Sequence, residues 1–186
     1  MSPKKWELKS QRIVYENPFV GIFEDTLLRP DGKLVENYYS VRRRDAAFII
    51  AVTQEQEIPL VYQYKNGVKD LIWELPAGFI EEVEEPEKAA ARELLEETGF
   101  QGEKLELLGK YAPNPSISNN RNFVFLAKNA KKVAEQKLDS NEDIEVRLFP
   151  LKEVVESIRE QKSQFVDLQS QLSLLLLGLK LGLWKN

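Results

Sequence analysis

Two rhythms of apolar residues run along this chain, and the change from one to the other predicts its elements. From Lys5 to Arg44 β-branched and aromatic residues dominate, broken by turn signals at Asn17-Pro18 and Asp31-Gly32. Leu27 to Leu34 reads as a hairpin folded at Asp31-Gly32. The stretch is expected to form a small antiparallel β unit, or else the first strands of the main sheet. Ala46 to Val52 is a nearly continuous apolar run, as in a buried central strand. Ile58 to Tyr64 reads as its neighbour across a polar turn, and Trp73 to Gly78 as a strand stopped by Pro76 and Gly78. The period then lengthens. Glu87 to Thr98 carries alanines and leucines at helical spacing, with Pro86 in the first turn and Gly99 as a stop. Beyond it Leu105 to Lys110, Asn122 to Ala127 and Ile144 to Phe149 are strand candidates. Val154 to Arg159 and Phe165 to Leu183 are helix candidates, and the polar stretch Lys128 to Asn141 reads as a loop. Strands with a few helices packed on them imply an α/β layered fold.

Composition narrows the chemistry more than the fold. With 186 residues, 42% hydrophobic and 30% charged, the chain fits one domain, or one domain with a small appendage. A net charge of −4 gives no electrostatic reason to expect nucleic acid or an anionic membrane as partner. The N-terminus lacks the apolar stretch of a secretory signal. The longest apolar run, Leu172 to Trp184, falls short of the roughly 20 residues of a spanning helix and reads as core- or dimer-packing. A cytoplasmic location is expected. The zeros say more. There is no Cys and no His, which removes disulfides, thiolate nucleophiles, Ser-His-Asp triads and imidazole-ligated zinc together. Carboxylates, Lys, Tyr and hard, oxygen-loving metals are what remain.

The helix from Glu87 concentrates that chemistry. Glu93, Glu96 and Glu97 lie three and four apart, so they share a face, where like charges destabilise an isolated helix. A divalent cation held by oxygen ligands would neutralise them; a solvated acidic face is the plainer alternative. Spacing decides between the two. Gly78 is followed after five residues by Glu84, after seven more by Arg92-Glu93-Leu94, then by Glu96-Glu97 and Gly99-Phe100.

This pattern matches every fixed position of the Nudix box, and the chain is identified as a Nudix hydrolase on that resemblance. The resemblance implies an α/β/α sandwich around a mixed sheet, preceded by a small N-terminal antiparallel β unit. The implied division is an N-terminal unit over 1–44 and a catalytic domain over 45–186. It implies Mg²⁺, with Mn²⁺ as a substitute, held by Glu93, Glu96, Glu97 and the Ala77 carbonyl. Arg92 and Glu84 resemble partners that orient the loop and helix, and Arg92, Glu96 and Glu97 count with the catalytic set. Gly78 and Gly99 look structural.

Flanking residues resemble the ADP-ribose pyrophosphatase branch: Arg43-Arg44-Asp45-Ala46-Ala47, Gln63-Tyr64-Lys65, Glu74-Leu75-Pro76-Ala77-Gly78 and Pro115. The implied reaction is in-line attack of water on one phosphorus of a nucleoside diphosphate sugar, giving a nucleoside monophosphate and a sugar phosphate. Ser140 to Ile144 resembles the loop that supplies a catalytic glutamate, which makes Glu142 the expected general base, with Asp143 and Asp139 as rivals. Arg44, Lys65, Glu74 and Arg121 are the candidate substrate contacts, although Arg44, Lys65 and Arg121 read equally as surface cations. Trp73, Tyr38 and Phe19 are candidates for stacking on a base, with core packing the better reading of each. Lys65 stands where relatives often carry Arg, and Pro115 to Arg121 lacks the expected glycine, so the preference extends to ADP-sugars and GDP-mannose. A homodimer is expected. Dinucleoside polyphosphates or damaged nucleotides as substrates, and a non-catalytic ligand sensor, are the rivals; an intact box argues against the sensor.

Overall fold

A computed structural model describes residues 2–162, 165 and 167–183. The backbone divides into two compact units, one of residues up to Asp45 with Ala112–Arg121, the other of Ala46–Tyr111 with the residues from Asn122 onward.

In the first unit, β1 (Glu7–Glu16), β2 (Val20–Leu28) and β3 (Leu34–Arg43) form a three-stranded antiparallel sheet in chain order. They are therefore not the first strands of a larger sheet. The β2–β3 turn falls at the Asp-Gly signal: Gly32 adopts φ +84°, a conformation that glycine reaches without penalty, and its N–H donates to the Arg29 carbonyl at 2.9 Å. Residues 112–121 join this unit through β3. Val41 N–H donates to the Ile117 carbonyl at 2.7 Å, and Asn119 N–H to the Val41 carbonyl at 3.2 Å.

The second unit is layered. Strands β4 (Ala46–Val52), β7 (Ala77–Phe79), β9 (Lys104–Tyr111) and β10 (Asn122–Lys128) make a mixed sheet in the order β7-β4-β10-β9, parallel only between β4 and β10. A second sheet holds β5 (Glu57–Lys65), β6 (Asp70–Glu74) and β12 (Glu145–Pro150) in the order β12-β5-β6. Here the expectation that β5 neighbours β4 is corrected. One edge of β4 is taken along its length by β10 and the start of the other by β7, and after the turn at Thr53–Gln56 the chain enters the other sheet. Likewise the segment around Pro76 is two strands rather than one. β6 ends at Glu74, and across Leu75-Pro76 the chain restarts as β7 in the first sheet.

The period-two alternation of β4 and β10 explains the layers. Ala47, Ile49 and Ala51 of β4, with Phe125 and Ala127 of β10, pack with Ala89, Ala90 and Leu94 of helix α1 (Pro86–Thr98). The alternate residues Ile50, Val52, Val124 and Leu126 pack with Val154, Val155 and Ile158 of α2 (Leu151–Arg159), and with Leu174 and Leu177 of α3 (Leu168–Leu181). Helices thus cover both faces of the mixed sheet. The α1 side is lined largely by alanine, so helix and sheet backbones approach closely there.

Other boundaries differ from expectation, and α2 begins at Leu151 rather than Val154. The last helix begins at Leu168 rather than Phe165, because Asp167 caps it by accepting from Ser170 N–H at 2.7 Å; Phe165 instead bridges to Trp73. Its Leu174 and Leu177 are fully buried, and Trp184 at the end of the apolar run lies outside the described residues. No helix among the described residues is long and apolar enough to cross a membrane. The polar stretch after β10 is loop apart from β11 (Lys131–Lys132), which pairs with β8 (Phe100–Gln101) just past α1.

Candidate active site

The site is built on α1 and on the turn that leads into it. Pro86 opens the helix, and Gly99 closes it in the left-handed conformation at φ +74°, its N–H donating to the Leu95 carbonyl at 2.8 Å. Ala89, Ala90 and Leu94 commit one face of the helix to the sheet. The adjoining face carries Glu93 and Glu97, both buried, at 9% and 3% exposure, with half-buried Arg92 and Glu96 beside them.

Arg92 ties this face to the preceding turn. Its Nε and Nη2 fork onto Glu84 at 2.9 Å each, and Nη2 also donates to the Phe79 carbonyl at 3.1 Å. Nη1 donates to Glu93 at 2.7 Å and to Glu96 at 3.1 Å. Every N–H of the guanidinium is thereby used within the protein. The bond from Arg92 holds Glu84 below the usual carboxylate range.

The carboxylates behind that fork behave otherwise. Burial pushes Glu93 up, opposed by its bond to Arg92 and reinforced by the charges of Glu96 and Glu142. Glu97 is pushed up further, again by burial first; the Ala77 N–H, which donates to its Oε2 at 2.9 Å, opposes the shift, and the charges of Glu93 and Glu142 add to it. A raised carboxylate is one whose charge lacks solvation. A divalent cation would supply it, and the donor set, carboxylates and backbone carbonyls with no nitrogen or sulfur, suits a hard cation. Strand β7 is shaped to the carboxylates. A β-carbon at Gly78 would sit 2.1 Å from the Glu93 carboxyl carbon, so only glycine leaves that group its place. Among the described residues no three acidic side chains already form a closed metal cage; Arg92 holds Glu93 and Glu96 instead.

The other anticipated residues fall in different places. Glu142, half-buried in the loop before β12, is near enough for its charge to act on both Glu93 and Glu97. It is held by a reciprocal pair: its own N–H donates to the Asp139 carbonyl at 3.0 Å, and its carboxylate accepts from Asp139 N–H at 2.9 Å. Its rivals Asp139 and Asp143 are exposed. Lys65 and Glu74 form an ion pair at 2.5 Å, and Glu74 also accepts from Gln63 Nε2 at 2.8 Å. Burial raises Glu74 against the pull of Lys65. Arg44 and Arg121 belong to the other compact unit. Arg44 is exposed and lies over the Phe19 ring, 5.8 Å from its centroid. Arg121 turns Nη1 onto the carbonyls of Asn119 and Asn120, both at 3.0 Å.

Of the aromatic candidates, Trp73 packs as expected, stacked on Tyr62 at 4.8 Å and edge-on to Phe149 at 4.9 Å. Core packing is the wrong reading for the other two. Phe19 is 64% exposed and Tyr38 is 39% exposed, its hydroxyl donating to the Ser116 carbonyl. Sequence reasoning also passed over Gln136, which donates to the Glu97 carbonyl at 2.7 Å and to the Ile144 carbonyl at 3.1 Å. The signal available for it was indirect: the end of a buried helix leaves carbonyls that need donors from somewhere.

Comparison with known proteins places this geometry. The NUDIX domain model matches residues 42–169. The chain is 31% identical over 160 residues to the CMP-5'-(N-acetyl-N-hydroxy-3-aminopropyl)phosphonate hydrolase of Streptomyces rubellomurinus, covering 86% of this chain and 76% of that protein. It is 29% identical over 150 residues to the ADP-ribose pyrophosphatase of Bacillus subtilis, covering 80% of each. A crystal structure of an ADP compounds hydrolase superposes with a TM-score of 0.82 at 21% identity, over 98% of this chain and 97% of that one, and shares its fold.

Proposed function

The chain belongs to the NUDIX family, and from that premise we propose that it hydrolyses the diphosphate bond of nucleoside diphosphate sugars to a nucleoside monophosphate and a sugar phosphate. ADP-ribose and ADP-sugars head the substrate class, with GDP-mannose within it. The observation that carries the chemistry is the pair of buried carboxylates, Glu93 and Glu97, against Ala77-Gly78 of β7. The similarity to an ADP-ribose pyrophosphatase over most of both chains supports the substrate class.

Family hydrolases act with a divalent metal, here Mg²⁺ with Mn²⁺ as a substitute, which when bound neutralises the diphosphate and makes the attacking water more acidic. Glu93, Glu96, Glu97 and the Ala77 carbonyl would hold it. Arg92 and Glu84 keep the turn and helix in register, so that the oxygens do not have to be gathered at each turnover. Glu142 takes the proton of the attacking water; half-buried and near enough for its charge to act on Glu93 and Glu97, it is favoured over exposed Asp139 and Asp143. Lys65, paired with Glu74, offers a point charge to the substrate phosphates.

Residues 1–44 would serve dimerisation and substrate contact, and 45–186 catalysis. β1 is exposed along its whole length, with Leu8, Ile13, Val14 and Tyr15 open to solvent, which supports a homodimer; a monomeric mass at micromolar protein would overturn it. Charged, membrane-impermeant substrates of this kind support a cytoplasmic location. A second reading has support from one observation. Similarity to a hydrolase of a CMP-linked phosphonate favours tolerance of leaving groups other than sugar phosphates.

The test is a screen of ADP-ribose, ADP-glucose, GDP-mannose, UDP-sugars, diadenosine polyphosphates and a CMP-phosphonate ester with Mg²⁺. Fastest release of nucleoside monophosphate from an ADP-sugar is expected. Turnover confined to the dinucleotides, or binding without hydrolysis, would sink the proposal.

A further inference from the structure

We propose that Gln136 is a positioning residue for the reaction, fixing the Glu142 loop against the carboxyl end of α1; the inference rests on Glu142 being the general base. Helices end with carbonyls that have no partner within the helix. In α1 the Leu95 carbonyl is met by Gly99 N–H at 2.8 Å, the Glu96 carbonyl by Lys137 N–H at 2.9 Å, and the Glu97 carbonyl by Gln136 Nε2 at 2.7 Å. The same nitrogen donates its other hydrogen to the Ile144 carbonyl at 3.1 Å. One primary amide therefore joins three things: the backbone of Glu97, the start of the loop, and the residue two beyond Glu142.

The consequence is a neck. Between Gln136 and Ile144 the chain leaves the end of α1 and comes back to the Gln136 side chain before entering β12, so both ends of that excursion are fastened through one side chain. Inside the neck the Asp139–Glu142 pair sets the local turn. That pair fixes the shape of the loop, whereas Gln136 fixes where the loop stands relative to Glu93 and Glu97. Lys137 N–H meets the Glu96 carbonyl, and the bond from Gln136 to the Glu97 carbonyl could on its own be read as one more cap. The second bond, to Ile144, is what a mere cap would not need.

Gln136→Met keeps the length of the side chain and removes both bonds. With ADP-ribose and Mg²⁺, kcat is expected to fall about 10–100-fold, the scale seen when supporting groups around a site are lost, with KM changed by less than about threefold. Amide hydrogen exchange over 137–144 should quicken while Mn²⁺ affinity, read by electron paramagnetic resonance, stays at the wild-type value. The deciding measurement is a double-mutant cycle with Glu142→Gln. In that background Gln136→Met should change kcat by less than about twofold, because its only route to the chemistry is already gone. Equal losses in both backgrounds, a wild-type kcat in Gln136→Met, or Mn²⁺ affinity falling in step with kcat would each overturn the proposal. An unchanged kcat in Glu142→Gln alone would remove the base assignment and this inference with it, whereas a loss there with none in Gln136→Met removes the inference only.

Discussion

The segments on either side of α1 are fastened to it by opposite means. Before the helix, the segment from Gly78 to Glu85 is gripped by a guanidinium, with Arg92 meeting Glu84 and the Phe79 carbonyl. After it, the stretch from Lys131 to Ile144 is gripped by neutral groups: Val133 and Ala134 N–H reach the Gly99 carbonyl at 2.9 and 3.2 Å, Lys137 N–H reaches Glu96, and Gln136 reaches Glu97. The charged grip is strong and geometrically strict, and it fixes the residue types on both sides of it. The neutral grip is mostly backbone, so it constrains the path of the chain and leaves its sequence nearly free. Glu97 meets both flanks, its side chain accepting from Ala77 N–H before the helix and its carbonyl from Gln136 after it.

Substitution at that shared residue should have the largest effect. Glu97→Gln removes the most buried carboxylate of the site, and kcat with Mg²⁺ is expected to fall on the order of 10³-fold, with Mn²⁺ binding weakened in parallel. Equal activity would contradict its assignment to the metal. Loosening the charged grip comes next. In Arg92→Lys a single ammonium cannot reproduce the fork, and Glu84 and Glu93 are left under-satisfied. A loss of about 1–3 kcal/mol is expected after allowing for partial exposure, seen as a fall in Tm of roughly 2–4 °C per kcal/mol. A Tm equal to wild type would show the fork to be dispensable. The smallest change tests the neutral grip. Gly99→Ala forces a β-carbon to 2.1 Å from the Ala134 carbonyl oxygen at a positive φ, and should cost about 1–2 kcal/mol. If the two grips are independent, its loss and that of Arg92→Lys will add in the double variant; sub-additive losses would show one cooperative unit.

The same contrast explains what could be read in advance. Glu93, Glu96 and Glu97 are visible from their helical spacing, and Glu84 and Arg92 through the resemblance to the Nudix box; the fork of Arg92 on Glu84 gives a physical reason for that fixed spacing. β4 and α1 were visible because burial imposes a period on their side chains. The partition of β4 and β5 into different sheets was not, since two apolar strands joined by a short turn look like a hairpin whichever sheet each joins. The attachment of residues 112–121 to the first unit depends on backbone bonds to Val41, which any sequence able to extend would make. Tyr38 and Phe19 were misjudged because an aromatic ring carries the same apolar signature exposed or buried. Gln136 lay in a stretch whose polarity read only as loop.

The alanine-lined contact between α1 and the mixed sheet has one more consequence. Methyl groups are the smallest spacers a side chain can offer, so Ala47, Ala51, Ala89, Ala90 and Ala127 leave the helix almost no room to come nearer, while any larger residue would push it outward. Because β7 hangs on β4 in that same sheet, the separation between the Ala77 backbone and the Glu97 carboxylate is gauged from behind. The reach of the oxygens toward a cation can therefore be retuned by swapping alanine for valine at positions buried behind the site.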